Sequence, residues 1–231
     1  MIENSDFETF LYISKNKYQI FVYDKNNLKN LYHEEIENDD EIELKILSNF
    51  LDENIYKIEK LINNFIRNII LIIENDKVLE VDISIKKKNY ENNIDQKHLE
   101  KSLIEVKDVF RENYQDQIIM HMIVVNNDKN ENSFQLYNVN NSDDYLFLEV
   151  NFITIPNNFT FYFDKLLENY QIMIKSYMSG NYIKSYFGED EVELSVMANK
   201  LNNGLNKNEV KLVSKNDKNR GFFEKFFQLF S

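Results

Sequence analysis

One short segment limits the fold more than any other. Ile69-Ile70-Leu71-Ile72-Ile73 is an unbroken aliphatic run, far shorter than the roughly 20 residues a membrane-spanning helix needs. It follows a helical pattern, in which Leu47, Leu51, Ile55, Ile58, Ile62 and Phe65 recur at spacings of three and four. The acidic stretch Glu37 to Glu41 leads into that helix. A short all-apolar run after a helix reads as a strand inside a sheet, covered on both faces. The fold class expected is therefore α/β.

The neighbouring segments supply the rest of that sheet. Phe10 to Ser14 and Tyr18 to Tyr23 read as strands, with Lys15-Asn16-Lys17 as a hairpin turn and a third strand over Lys29 to Ile36. After the turn Asn75-Asp76-Lys77 the pattern changes. Leu79, Val81, Ile83 and Ile85 alternate with polar residues, as in a half-buried strand. Lys86-Lys87-Lys88 opens a loop, and Asp95 caps a helix to about Asn113 with Leu99, Leu103, Val106 and Phe110 on one face. Strands are expected over Ile118 to Val125, Phe134 to Val139 and Leu146 to Ile155, then a helix from Asn157 bearing Phe161, Leu166 and Leu167. Gln171 to Ser176 reads as a strand returning to the first sheet. Tyr182 to Phe187 and Val192 to Leu201 read as helices, the second ended by Gly204. Glu209 to Val213 is short and extended. The divisions expected are 1–76, a middle module at 77–170, a return at 171–213, a polar linker at 214–220 and a final helix at 221–231.

Composition removes several function classes. Without cysteine there is no disulfide, thiolate metal site or catalytic thiol. A net charge of −12 opposes general binding of nucleic acid. The start Met1-Ile2-Glu3-Asn4-Ser5-Asp6 has no basic n-region, so no signal peptide is expected there. Phosphate cradles need glycine where backbone must approach the ligand. The four glycines are Gly180, Gly188, Gly204 and Gly221, so no P-loop or dinucleotide fingerprint can be written. His33, His98 and His121 stand apart, and the carboxylates form solvated runs such as Asp39-Asp40-Glu41 and Glu189-Asp190-Glu191. No catalytic, cofactor or metal residue is assigned, and the expectation is a protein that is not an enzyme.

The positive signal lies in Gly221-Phe222-Phe223-Glu224-Lys225-Phe226-Phe227-Gln228-Leu229-Phe230-Ser231. On a helix, Phe222, Phe223, Phe226, Phe227 and Phe230 share one face, and Glu224, Lys225 and Gln228 the other. From Lys211 to Lys225 five cations (Lys211, Lys215, Lys218, Arg220, Lys225) face two anions (Asp217, Glu224), a net +3 that reverses the sign of the whole chain. Each fully buried aromatic is worth about 1.5–3 kcal/mol, although interfacial burial is partial and ordering the helix offsets much of it. Weak, reversible anchoring on a membrane surface is expected. The residues assigned to it are Phe222, Phe223, Phe226, Phe227, Leu229, Phe230, Lys218, Arg220 and Lys225.

Several of these segments resemble the bacterial cell-division FtsA family of actin-like proteins. Thr9 to Val22 looks like that family's first hairpin, and residues 77–170 are similar to its inserted interaction subdomain. Ile119-Met120-His121-Met122-Ile123 and Leu146-Phe147-Leu148-Glu149-Val150-Asn151-Phe152-Ile153-Thr154 resemble two of its strands, and Gly221 to Phe227 its amphipathic end. The resemblance implies a partial actin-like (ribonuclease-H-like) mixed sheet, with an inserted strand-helix-strand-strand module and a C-terminal amphipathic helix. It also implies a membrane-associated scaffold of the division machinery on the cytoplasmic face of the inner membrane, partnered by other division proteins and by itself. Two departures bear on nucleotide: Tyr12 replaces the hairpin's Asp and Ser14 its Gly, and the second, glycine-rich phosphate loop is absent. ATP and direct FtsZ binding are therefore not carried over. The alternatives are an adaptor of a pilus or secretion apparatus, which shares the inserted-module plan, and an enzyme with an unrecognised site.

Overall fold

The computed structural model describes residues 6–38, 42–88, 96–125, 145–188 and 192–211. In chain order these form β1 (Phe7–Ser14), β2 (Lys17–Asp24), β3 (Lys29–Glu37), α1 (Leu44–Ile62), β4 (Asn68–Glu74), β5 (Leu79–Lys88), α2 (Gln96–Asn113), β6 (Gln117–Val124), β7 (Tyr145–Pro156), α3 (Asn157–Glu168), β8 (Met173–Ser179), α4 (Gly180–Phe187) and α5 (Leu194–Asn202). They divide into two compact units, one of Met1–Val78 with Pro156–Leu205, the other of Leu79–Ile155 with Asn206–Ser231.

The first unit is built on a mixed sheet of order β3-β2-β1-β4-β8. β1, β2 and β3 form an antiparallel meander, while β4 runs parallel to both β1 and β8. Parallel neighbours need a long crossover, and α1 supplies the one that brings β4 beside β1. Every residue from Ile69 to Ile73 is buried, as the aliphatic run requires of a strand covered on both faces. On one face Phe10, Tyr12, Phe21, Tyr23, Ile70, Ile72 and Met178 pack with Ile183 of α4 and Met197, Ala198 and Leu201 of α5. The alternate residues Leu11, Ile13, Ile20, Val22, Leu71 and Ile73 point to the other face and are equally buried. There α1 contributes Leu47, Phe50, Leu51, Ile55 and Ile58, and α3 contributes Phe163 and Leu167. The α/β expectation holds.

The second unit has a three-stranded sheet, β5-β7-β6, with β5 and β7 antiparallel. Leu99, Leu103, Val106 and Phe110 of α2 pack on Met122, Val124, Leu148, Val150 and Phe152. Phe110 stacks between Phe152 (centroids 4.6 Å) and Tyr114 (4.9 Å). Val210 reaches the same core from the far end of the chain. Its N–H donates to the Met122 carbonyl (2.8 Å), and the Val124 N–H donates to the Asn208 carbonyl (2.9 Å). Residues 208–210 thus lie along the outer edge of β6. Beside them the buried His121 Nδ1 meets Glu209 Oε1 at 2.7 Å, which gives the histidine in the apolar strand a structural partner.

Several expectations differ from the structure, among them Phe161, which is 54% exposed while α3 buries Phe163 and Leu167. Phe65 does not extend the α1 stripe: the helix stops at Ile62, Asn63 turns left-handed (φ 51°), and Phe65 is 74% exposed. Lys86 to Lys88 are strand rather than loop, because pairing with Phe147, Leu146 and Tyr145 of the longer β7 carries them along. α3 packs on β8 of the first unit, so it does not close a module at 77–170. Residues 206–211 join the second unit, so the return segment ends earlier than 213. Asp95, the strand over Phe134 to Val139, the linker at 214–220 and the helix at 221–231 lie outside the described residues. Among the described residues no helix is long and apolar enough to cross a membrane.

Candidate functional site

Open α/β sheets place ligands at the carboxyl ends of their parallel strands. Here β1, β4 and β8 run in one direction, and their ends bring Ser14, Glu74 and Ser179 to one edge. Gly180 follows β8 directly and starts α4, whose first turn is capped by Ser179 Oγ accepting from the Tyr182 N–H (3.2 Å). One turn further on is Lys184.

These residues close on each other. Tyr12 Oη donates to Glu74 Oε2 at 2.7 Å. Lys184 Nζ lies 2.5 Å from that same oxygen and 3.2 Å from Tyr12 Oη, with its ammonium 5.2 Å above the Tyr12 ring centroid. A Cβ at Gly180 would come within 3.1 Å of Glu74 Cβ and Oε2 and 3.2 Å of the Tyr12 ring. Glycine therefore suits the close approach here, not a positive φ. Ser14 Oγ is used within the hairpin, accepting from the Lys17 N–H and donating to the Lys17 carbonyl, both at 3.1 Å.

The electrostatics follow from that packing. Burial raises the Tyr12 phenol, and the hydrogen bond to Glu74 and its charge raise it further against a smaller opposing effect of Lys184. Burial alone would lower Lys184, but Glu74 and Tyr12 outweigh it and the net direction is upward. The result is a neutral Tyr12 phenol beside a charged Lys184 ammonium. An anion at a helix N-terminus is favoured by the exposed backbone N–H groups and the helix dipole. Here Glu74 Oε2 lies close to Gly180 at the start of α4. Among the described residues no cluster of three or more His, Asp or Glu is arranged to hold a metal ion.

Of the residues singled out in the sequence, Tyr12 and Ser14 lie at this site. Phe222, Phe223, Phe226, Phe227, Leu229, Phe230, Lys218, Arg220 and Lys225 lie outside the described residues. His33 stacks on Phe21 (centroids 4.5 Å) on an exposed strand, and His121 pairs with Glu209. Glu74 and Lys184 were not foreseen. Glu74 had a visible signal, being the charged residue that ends the aliphatic run.

A pH effect follows from the tyrosines. Tyr12, Tyr18, Tyr23, Tyr32, Tyr170 and Tyr177 are all raised, each chiefly by burial. An unfolded chain ionises its phenols near pH 10 while the folded chain resists. Their contribution is thus complete below about pH 10 and is lost as pH rises above it. Urea midpoints should be flat in tyrosine-linked stability from pH 8 to about 9.5 and fall steeply beyond about pH 10.5. Phenolate absorbance that titrates fully before unfolding would contradict this.

No family model matches the sequence, and no curated protein matches it. Three solved structures resemble the chain at low identity. A Bacteroides thetaiotaomicron protein with an actin-like ATPase fold and unknown function aligns over 81% of this chain and 58% of its own, at 13% identity and TM-score 0.36. The cytoplasmic domain of EpsL, an inner membrane component of the Vibrio cholerae type II secretion system, aligns over 77% and 58%, at 5% identity and TM-score 0.41. A PilM–PilN type IV pilus biogenesis complex aligns over 78% and 49%, at 9% identity and TM-score 0.46. The chain thus spans between about half and three-fifths of the solved chains it resembles. None of the three is described as a division protein, and the first of them is described as having an actin-like ATPase fold.

Proposed function

We propose that this chain is a non-catalytic adaptor, held by its amphipathic tail on the inner face of a membrane, that gathers components of a membrane-bound machine. The observation that carries the non-catalytic half is the Glu74 carboxylate lodged between Tyr12 and Gly180, with Lys184 as its counter-ion. A fold plan associated with phosphate binding at these strand ends is here closed by the protein's own anion. The anchoring half rests on the phenylalanine face and local positive charge of residues 211–230. The machine is a pilus or secretion apparatus, the adaptor role weighed beside the division machinery in the sequence; a division-machinery partner is the competing reading. Both require the same adaptor chemistry and differ in the partner.

Calorimetric titration with Mg-ATP tests the closed site, and no heat of binding is expected. Micromolar binding would overturn the non-catalytic reading. Cross-linking of the tagged chain in cells, read by mass spectrometry, tests the machine. Recovery of pilus or secretion components is expected, and consistent recovery of division proteins instead would transfer the adaptor to the competing machine.

A further inference from the structure

Each sheet has edges, and unpaired strand edges invite pairing with other chains. In the first unit β3 carries Glu34, Glu35 and Glu37 on its edge, and its pairing with β2 is broken by a register shift. The pairing of β8 with β4 is shifted as well. In the second unit residues 208–210 take the outer edge of β6. β5 differs from all of these. It pairs with β7 without interruption from Leu79 to Lys88, and among the described residues no strand lies on its other side. It contains neither proline nor bulge.

Its side chains have a specific arrangement. Val81, Ile83 and Ile85 face the α2 side and are half-buried against the core of the unit, and Lys87 on that side pairs with Glu105 of α2. Val109, one turn beyond Glu105 on the same stripe, is 36% exposed. The opposite face carries Glu80, Asp82, Ser84, Lys86 and Lys88, all exposed. Acids occupy the first half of the strand and lysines the second.

We propose that two copies of this chain pair through the outer edges of β5, antiparallel about a two-fold axis at Ser84, to make one continuous sheet. Opposed residues in an antiparallel ladder lie on the same face. A two-fold axis through Ser84 sets Glu80 against Lys88 and Asp82 against Lys86, each twice by symmetry. On the α2 side it sets Ile83 against Ile85, adding cover to a row that α2 leaves half open, and Val81 against the stem of Lys87, whose ammonium stays with Glu105. Sliding the axis to Ile83 or Ile85 separates at least one acid from a lysine, and parallel pairing would set like charge on like. Two copies would also present two tails, which strengthens weak anchoring without a new contact.

Sedimentation equilibrium of the full chain without lipid should show a dimer. Glu80→Lys with Asp82→Lys, or Lys86→Glu with Lys88→Glu, should each weaken association about tenfold or more. Mixing the two variants should restore it, because unlike charges then meet at every opposed pair. The chain has no cysteine, so Ser84→Cys places the sole thiols across the axis and should give a covalent dimer on mild oxidation, while Glu80→Cys should not. A monomeric chain, association unchanged by either reversal, no recovery on mixing, or equal cross-linking by both cysteine variants overturns the proposal.

Discussion

Replacing Phe226 and Phe227 with glutamate is expected to bring binding to anionic vesicles below detection. The change removes two of the five phenylalanines of the proposed apolar face and adds two charges that an anionic lipid surface would repel. Each lost aromatic forfeits part of the about 1.5–3 kcal/mol that full burial is worth, and the proposed anchor has little to spare. The cations Lys218, Arg220 and Lys225 offset the acidic body at about 1 kcal/mol each near an anionic surface. Lys218→Gln with Arg220→Gln should therefore weaken binding less and flatten its dependence on salt, since screening acts only on the charge contribution. Co-sedimentation with vesicles at two salt concentrations separates the two contributions. A Phe226→Glu, Phe227→Glu protein that sediments like the unmodified one would mean that these rings pack within the protein instead.

The second large effect concerns the core of the inserted unit. Phe110→Ala should cost about 3–5 kcal/mol, the range for deleting a buried aromatic. Phe110 is fully buried, with rings stacked on both its faces, so the surroundings cannot close over the space it leaves. Against a total stability of about 5–15 kcal/mol for a domain, most of the margin of this unit would be gone. Phe147→Ala is the matched control: that ring is 55% exposed, and its loss should stay within about 0.5 kcal/mol. Urea unfolding followed by circular dichroism reads both. Equal midpoints for the two variants would contradict the core described for α2, β6 and β7.

How far the sequence reached depended on whether a feature was local. The strands Phe7–Ser14, Lys17–Asp24 and Asn68–Glu74 were legible because a strand buried on both faces must be apolar at nearly every position. β5 was legible through its alternation, but its end was not: lysines are poor strand formers, and only pairing with β7 keeps Lys86 to Lys88 extended. On α3 only Leu167 of the expected Phe161, Leu166 and Leu167 is buried, while Phe163 takes the core position and Phe161 is 54% exposed; nor does a helical stripe say which sheet it covers. Glu74 and Lys184 are 110 residues apart and His121 and Glu209 are 88 apart. No periodicity links such pairs, and only the parallel placement of β1, β4 and β8 brings the first pair together. Tyr12 and Ser14 were readable as positions of interest, because they sit in the first hairpin where the resembled family has Asp and Gly. The contact of Glu74 with Tyr12 and Lys184 was not.

The central claim is that the chain works at a membrane surface as an adaptor. Imaging the full chain, fused at its N-terminus to a fluorescent protein in growing bacterial cells, tests it most directly. Signal should be confined to the cell envelope and lost to the cell interior when Phe226 and Phe227 are replaced with glutamate. Uniform signal through the interior for the unmodified chain would contradict it.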